Sequence, residues 1–397
     1  ERISGIQVNP KNPNEVYVAV LGALWNDSEE RGLYKTTDGG KSWNKILYVD
    51  KTTGCSDLIL DPVNPDIIYA SFWEFRRTPW SFNSGGNNSA LFKSTDGGKT
   101  WNRAFHVSDN TGCNEVHIDP NLPGTIYAAF HQRRRHEWTY LGGGPESALY
   151  KSTDNGKTWR KVSGGFPAGE LGRITVAPAS KPGLVYAMVE AEEGKGGIFV
   201  SYDYGESWSK QNPFFTAGNY YQEIFVDPTN PNRLFFMDAY MKVSDDGGKT
   251  LRNAGEGSKH VDNHIIWIDP EQPSHWLVGC DGGLYETYDN AQNWNYKDNL
   301  SITQFYRASV DNALPFYNIY GGTQDNNTLG GPSKNNSANG VSNDDWYVTV
   351  GGDGFKSQID PSNPNIVYSQ WQYGGLVRYD KVTGEAVDIK PTIGITE

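Results

Sequence analysis

Ser94-Thr95-Asp96-Gly97-Gly98-Lys99-Thr100-Trp101 is the stretch on which the fold turns, because the chain writes it six times. Earlier comes Thr36-Thr37-Asp38-Gly39-Gly40-Lys41-Ser42-Trp43, and later Ser152-Thr153-Asp154-Asn155-Gly156-Lys157-Thr158-Trp159. The fourth copy runs from Ser201 through Asp203 to Trp208. The fifth runs from Ser244 through Asp246 and ends on Leu251, and the sixth keeps Asp289 and Trp294 in a looser frame. Successive aspartates lie 58, 58, 49, 43 and 43 residues apart. A period of roughly 40 to 60 residues marks a propeller or a solenoid.

A second phrase precedes each box, an apolar strand that ends on Asp-Pro or a close variant. It occurs at Asn9-Pro10, Asp61-Pro62, Asp119-Pro120, Ala177-Pro178, Asp227-Pro228, Asp269-Pro270 and Asp360-Pro361, with a variant at Asp311-Asn312. Proline cannot donate to a central ladder and keeps its predecessor out of helix, so each phrase is a turn between strands. One unit then reads as strand A before the turn, strand B after it, strand C before the box and strand D from its Trp. Eight such phrases predict an all-β propeller of about seven to eight four-stranded blades, as one body over residues 1–397. Solenoid coils are usually shorter and more uniform than these units. The order also predicts that A–B turns and boxes share one rim and that B–C and D–A connections share the other.

The boxes read as frame. Asp38, Asp96, Asp154, Asp203, Asp246 and Asp289 are placed to accept N–H bonds across the C–D turn, and Trp43, Trp101, Trp159 and Trp208 to wedge between blades. A calcium loop would need a closing Glu, which the boxes lack.

Composition narrows the function. The 397 residues carry 35 Lys and Arg against 47 Asp and Glu, a net charge of −12, which disfavours nucleic acid as a partner. There is no apolar run long enough for a transmembrane segment. Three cysteines make no disulfide framework; Cys55 and Cys113, on equivalent strands, read as free thiols. No cofactor is expected. The chain starts at Glu1, so it reads as processed or as part of a longer, two-propeller protein.

These repeats resemble the Asp-box, or bacterial neuraminidase, repeat shared by sialidases, tandem-propeller xyloglucanases, sortilin-type receptor domains and bacterial secreted proteins. Phrases such as His260-Val261-Asp262-Asn263-His264 and Gly351-Gly352-Asp353-Gly354 are similar to the last group, often called glycosyl-hydrolase-like or sortilin-like. The resemblance implies a secreted, periplasmic or cell-surface bacterial protein. It covers nearly the whole chain but is specific for fold rather than activity. A sialidase would need an early Arg-Ile-Pro, whereas Arg2-Ile3 precedes Ser4 here, with no Tyr–Glu nucleophile pair. The xyloglucanases carry a catalytic Asp in an early Thr-Asp-Ile-Gly-Gly phrase that this chain lacks.

Two B–C insertions, 73–90 and 131–148, mix arginines with aromatics, and should form neighbouring walls of one cleft. Arg76, Arg77, Trp80, Arg133, Arg134, Arg135 and Trp138 are its ligand-binding candidates, with Gln324 on a later bend. Aromatic faces stack on sugars and Arg forks grip carboxylates. Asp262, Asp281, Asp325 and Asp353 are candidate catalytic carboxylates, whose separation would decide retention or inversion in glycoside hydrolysis. His260, Asp262 and His264 alternate, so all three could face one way and hold a divalent metal; lining of turns is the other reading. The first expectation is a recognition or scaffold module for polysaccharide or an envelope or extracellular protein. The second is a xyloglucanase-like glycoside hydrolase using those aspartates.

Overall fold

The structure is a computed structural model, and it describes residues 2–300 and 302–391. The chain divides into two compact units, Glu1–Cys280 with Leu284–Asn295, and Asp281–Gly283 with Tyr296–Glu397.

The first unit shows how the repeat becomes a blade. Ile3–Val8, Val16–Val20, Gly32–Thr36 and Asn44–Leu47 pair antiparallel in chain order, with Asn9-Pro10 in the first turn. The same order recurs in sheets that begin at Thr53, Thr111, Leu171, Ile224 and Asn263. In the second unit it recurs from Arg307 and from Ser357. The described residues therefore form eight four-stranded propeller blades, at the upper end of the expected number.

Blades stack face to face through the apolar side chains that alternate along the strands. Tyr17, Ala19 and Leu33 of the first blade meet Cys55, Leu58, Ile68 and Phe72 of the second. Tyr127 and Leu149 of the third meet Val176, Ala187, Phe199 and Trp208 of the fourth. In the second unit Tyr320 packs with Ile359 and Val367. Cys55 and Cys113 are buried free thiols, as expected, and burial pushes both well above the ordinary thiol range.

Each box closes on itself. In the first, Ser42 N–H donates to Asp38 Oδ1 at 2.9 Å, Ser42 Oγ–H to Asp38 Oδ2 at 2.6 Å, and Gly40 N–H to Thr36 Oγ1 at 3.0 Å. The same bonds recur around Asp96, Asp154, Asp203 and Asp246, and around Asp289 with the Asn293 side-chain amide in place of the hydroxyl. Gly40 sits at φ +89°, a conformation that costs glycine nothing. Gly39 N–H bonds Asn14 O and Gly97 N–H bonds Asp66 O, so box and A–B turn do share a rim. The tryptophans differ: Trp208 is 6% exposed within the core, whereas Trp43 is 43% exposed and is not the buried wedge expected.

Among the described residues, no helix is long and apolar enough to cross a membrane.

Candidate functional site

The two insertions do not stand as separate cleft walls. Strand Ile68–Arg77 runs on past its blade, and so does Ile126–His136; Ser81–Ser84 hydrogen-bonds to both, and Thr139–Leu141 adds an outer edge. The result is one four-stranded sheet joining the second and third blades. The expected gap between walls is filled by ladder bonds, because each insertion brings an exposed strand edge that needs a partner.

Register sorts the arginines onto two faces. On one, Arg77, Phe82, Arg135 and Tyr140 lie side by side across all four strands. Arg133 shares that face two residues along; its guanidinium lies 4.2 Å from the Phe82 ring centre and donates to Asn219 Oδ1 at 2.9 Å. The Arg77 guanidinium covers the Trp25 ring at 4.8 Å. On the other face Arg76 pairs with Asp27 at 3.0 Å, and Arg134 donates to the carbonyls of Ser84 and Arg133 at 2.8 and 2.9 Å. Arg76 and Arg134 are thus occupied within the fold.

A cavity of about 180 Å³ opens on this sheet, lined by Arg77, Thr78, Trp80, Phe82, Arg135 and His136 among others. Trp80 is 63% exposed, and Trp138, stacked flat on His136 at 4.9 Å, is 74% exposed. A second cavity of about 270 Å³ lies beside Tyr140 and carries Glu170, Glu190 and Glu192. Burial pushes the Glu190 carboxyl up, although Arg173 N–H donates to it at 3.0 Å.

Still in the first unit, Asp262 has a left-handed φ of +63° and precedes strand Asn263–Ile268. The alternation expected of His260, Asp262 and His264 therefore does not run through it. Asp262 accepts the Tyr221 hydroxyl, His264 stacks on the Tyr221 ring at 5.7 Å, and His260 Nδ1 sits 2.8 Å from Val261 O.

The second unit holds the other three aspartates. Asp281 lies in a B–C turn, Asp325 in the bend after Asn318–Gly322, and Asp353 after Tyr347–Val350. Carboxylate oxygens of Asp281 and Asp325 approach within 4.8 Å of one another. Asp353 Oδ1 accepts the Asp325 N–H at 2.6 Å, and Asn326 donates to Asp281 O at 3.3 Å. Gln324 Oε1 accepts the Tyr306 hydroxyl at 3.0 Å, and Tyr306 stacks on Phe355 at 5.8 Å and 17°. Burial, then Asp353 and Asp325, push the Tyr306 phenol up, which places those charges beside it. Tyr306 and Phe355 were missed from the sequence; only their proximity to the singled-out bends could have flagged them.

Also missed were Asp57, Glu115 and Glu223, which stand on the first strands of the second and third blades and just before that of the fifth. Asp57 accepts Val116 N–H at 3.0 Å and Glu115 accepts Val176 N–H at 2.7 Å, each reaching the next blade. His117 lies 3.4 Å from Glu115, and Arg173 pairs with Glu223. Burial drives Asp57 to about 6 and Glu223 to about 7, the latter opposed by Arg173. The signal was an acidic residue at one equivalent position in two apolar strands, Cys55-Ser56-Asp57 and Cys113-Asn114-Glu115.

The family model described as BNR/Asp-box repeat matches residues 92–103 and 150–161. A xyloglucanase of Paenibacillus sp is 25% identical over 293 residues, 68% of this chain and 23% of that protein. Xyloglucanase Xgh74A of Acetivibrio thermocellus is 26% identical over 318 residues, 69% of this chain and 35% of that protein. The crystal structure of the GH74 xyloglucanase from Xanthomonas campestris covers 98% of this chain and 78% of its own, at 12% identity and a TM-score of 0.43. The chain thus spans about a quarter to a third of the length of these curated relatives. It carries BNR/Asp-box repeats and is similar, over some two thirds of its own length, to xyloglucanases.

Proposed function

We propose that the chain is the polysaccharide-contacting propeller of an extracellular glycoside hydrolase acting on a xyloglucan-like chain. The observation that carries this reading is the approach of Asp281 and Asp325 within 4.8 Å, in a unit that also offers the Tyr306–Phe355 stack as a sugar platform. Glycoside hydrolysis needs two carboxyl groups, one to protonate the leaving oxygen and one to act at the anomeric carbon. Similarity to xyloglucanases supports the substrate class. Within this chain, Asp281 and Asp325 are the carboxylate pair that meets the need for two carboxyl groups. Their spacing lies nearer the ~5–5.5 Å of retaining enzymes than the ~6.5–9.5 Å of inverting ones.

The test is release of reducing ends from xyloglucan. Asp281→Asn and Asp325→Asn should each lower the rate by ~100-fold or more, with the circular dichroism unchanged. Inversion in the first product would show that another pair does the chemistry. Glycan retention without release would instead support a non-catalytic recognition module, a reading that the arginine-bearing sheet also favours.

A further inference from the structure

The sheet built by the two insertions holds more positive charge than its surroundings answer. Arg77, Arg133 and Arg135 share one face, with Phe82 between the first and last in register. At a strand spacing of ~4.8 Å, Arg77 and Arg135 stand ~10 Å apart. Among the described residues none of the three guanidiniums bonds a carboxylate. Arg133 is held by Asn219, Ser84 and the Phe82 ring, and Arg77 rests on Trp25. The lining holds one acidic residue, Glu137, which forms no ion pair among the described residues. In a chain of net charge −12, surplus carboxylates are the ordinary neighbours of an arginine. Leaving three like charges together without one costs stability through repulsion, which a bound anion would relieve.

The surroundings say what kind of anion. The cavity's ~180 Å³ equals about six water volumes of ~30 Å³. That is room for one ring-sized group, not for a chain. Exposed Trp80 in its lining, and Trp138 stacked on the lining's His136, offer flat apolar faces. Rings that stack and forks that grip a planar carboxylate are the two chemistries a uronic acid residue satisfies at once.

We propose that the Arg77–Phe82–Arg135 face is a subsite for an acidic sugar, a uronate unit carried on or beside the polysaccharide. This rests on the carbohydrate reading above but not on catalysis by Asp281 and Asp325.

The experiment is isothermal titration of the full chain with trigalacturonate, a neutral xyloglucan heptasaccharide and a sulfated trisaccharide, at low and at 0.5 M salt. Trigalacturonate should bind, weaken at high salt, and lose about tenfold or more in affinity in Arg135→Gln and in Arg77→Gln. Heptasaccharide affinity should be unchanged in both variants. Arg135 is exposed and, among the described residues, its side chain makes no hydrogen bond or ion pair, so Arg135→Gln reports on binding rather than folding. Binding of the neutral sugar alone would overturn the uronate subsite and leave the polysaccharide reading standing. Preference for the sulfated sugar would overturn the uronate assignment. Failure of all three sugars to bind would overturn both readings.

Discussion

The Asp boxes and the insertion sheet both concentrate charge, and they handle it in opposite ways. In a box the carboxylate finds every donor within six residues: hydroxyl and N–H groups of its own turn surround Asp154, and the next blade is not needed to satisfy it. In the sheet the Arg77 and Arg133 guanidiniums rest on rings and an amide, Arg135 is exposed, and among the described residues none of the three bonds a carboxylate. Charge closed locally holds a hairpin in shape. Charge left open on a rigid sheet is the basis of the proposed acidic-sugar subsite. The sequence repeats the first pattern six times and places the second only in the two insertion-bearing units, each 58 residues long.

The largest effect expected on the frame side comes from the wedge. Trp208→Ala removes a buried ring packed on Phe166 and in the cluster of Ile174 and Phe199, and should cost ~3–5 kcal/mol in urea unfolding. Trp43→Ala should cost much less, because Trp43 is largely open to solvent. Equal losses would show that the boxes do not differ as their burial says.

Acid should reveal the boxes next. The Ser42 hydroxyl and its neighbours hold the Asp38 carboxyl at about 2, and the Thr100 hydroxyl and N–H do the same for Asp96. A folded pKa below the unfolded ~3.9 gives stability that is present above pH ~4 and lost as pH falls towards 2. The interior carboxylates work the other way. Burial raises Asp57 to about 6 and Glu223 to about 7, so their protonation favours the fold and that contribution fades as pH rises from ~4 through 7. The melting temperature should therefore peak at mildly acidic pH and fall on both sides. Glu223→Gln should flatten the upper limb and leave the lower one alone. A melting temperature that climbs from pH 5 to 8 would contradict the assignment.

The blades were legible because their signals are local. Box, turn and strand alternation all sit within one unit of chain, and Asp-Pro turns predicted eight strand pairs where eight blades stand. The insertion sheet was not legible in the same way. Its arginines were visible, but which of them share a face depends on register between strands about fifty residues apart, with Arg77 beside Phe82 and Phe82 beside Arg135. Arg31 shows the same limit: in Glu30-Arg31-Gly32 it looks like a solvated charge, yet it is fully buried and donates to Leu21, Ala23 and Lys51 carbonyls. The alternation expected through His260, Asp262 and His264 was not legible for a backbone reason, the left-handed φ of Asp262 that interrupts it. Asp281, Asp325 and Asp353 were singled out because each interrupts the repeat at a bend, and bends of one unit cluster where strands end.

Differential scanning calorimetry of wild type, Asp154→Asn and Arg135→Gln, each with and without trigalacturonate, bears most directly on the contrast between closed and open charge. A ligand that binds only the folded state raises the melting temperature. Asp154→Asn should melt lower than wild type yet keep the full ligand-induced rise. Arg135→Gln should melt with wild type or slightly above it, since one like charge is removed, and lose most of that rise. The contradicting result is Arg135→Gln melting as low as Asp154→Asn while its response to the sugar stays whole.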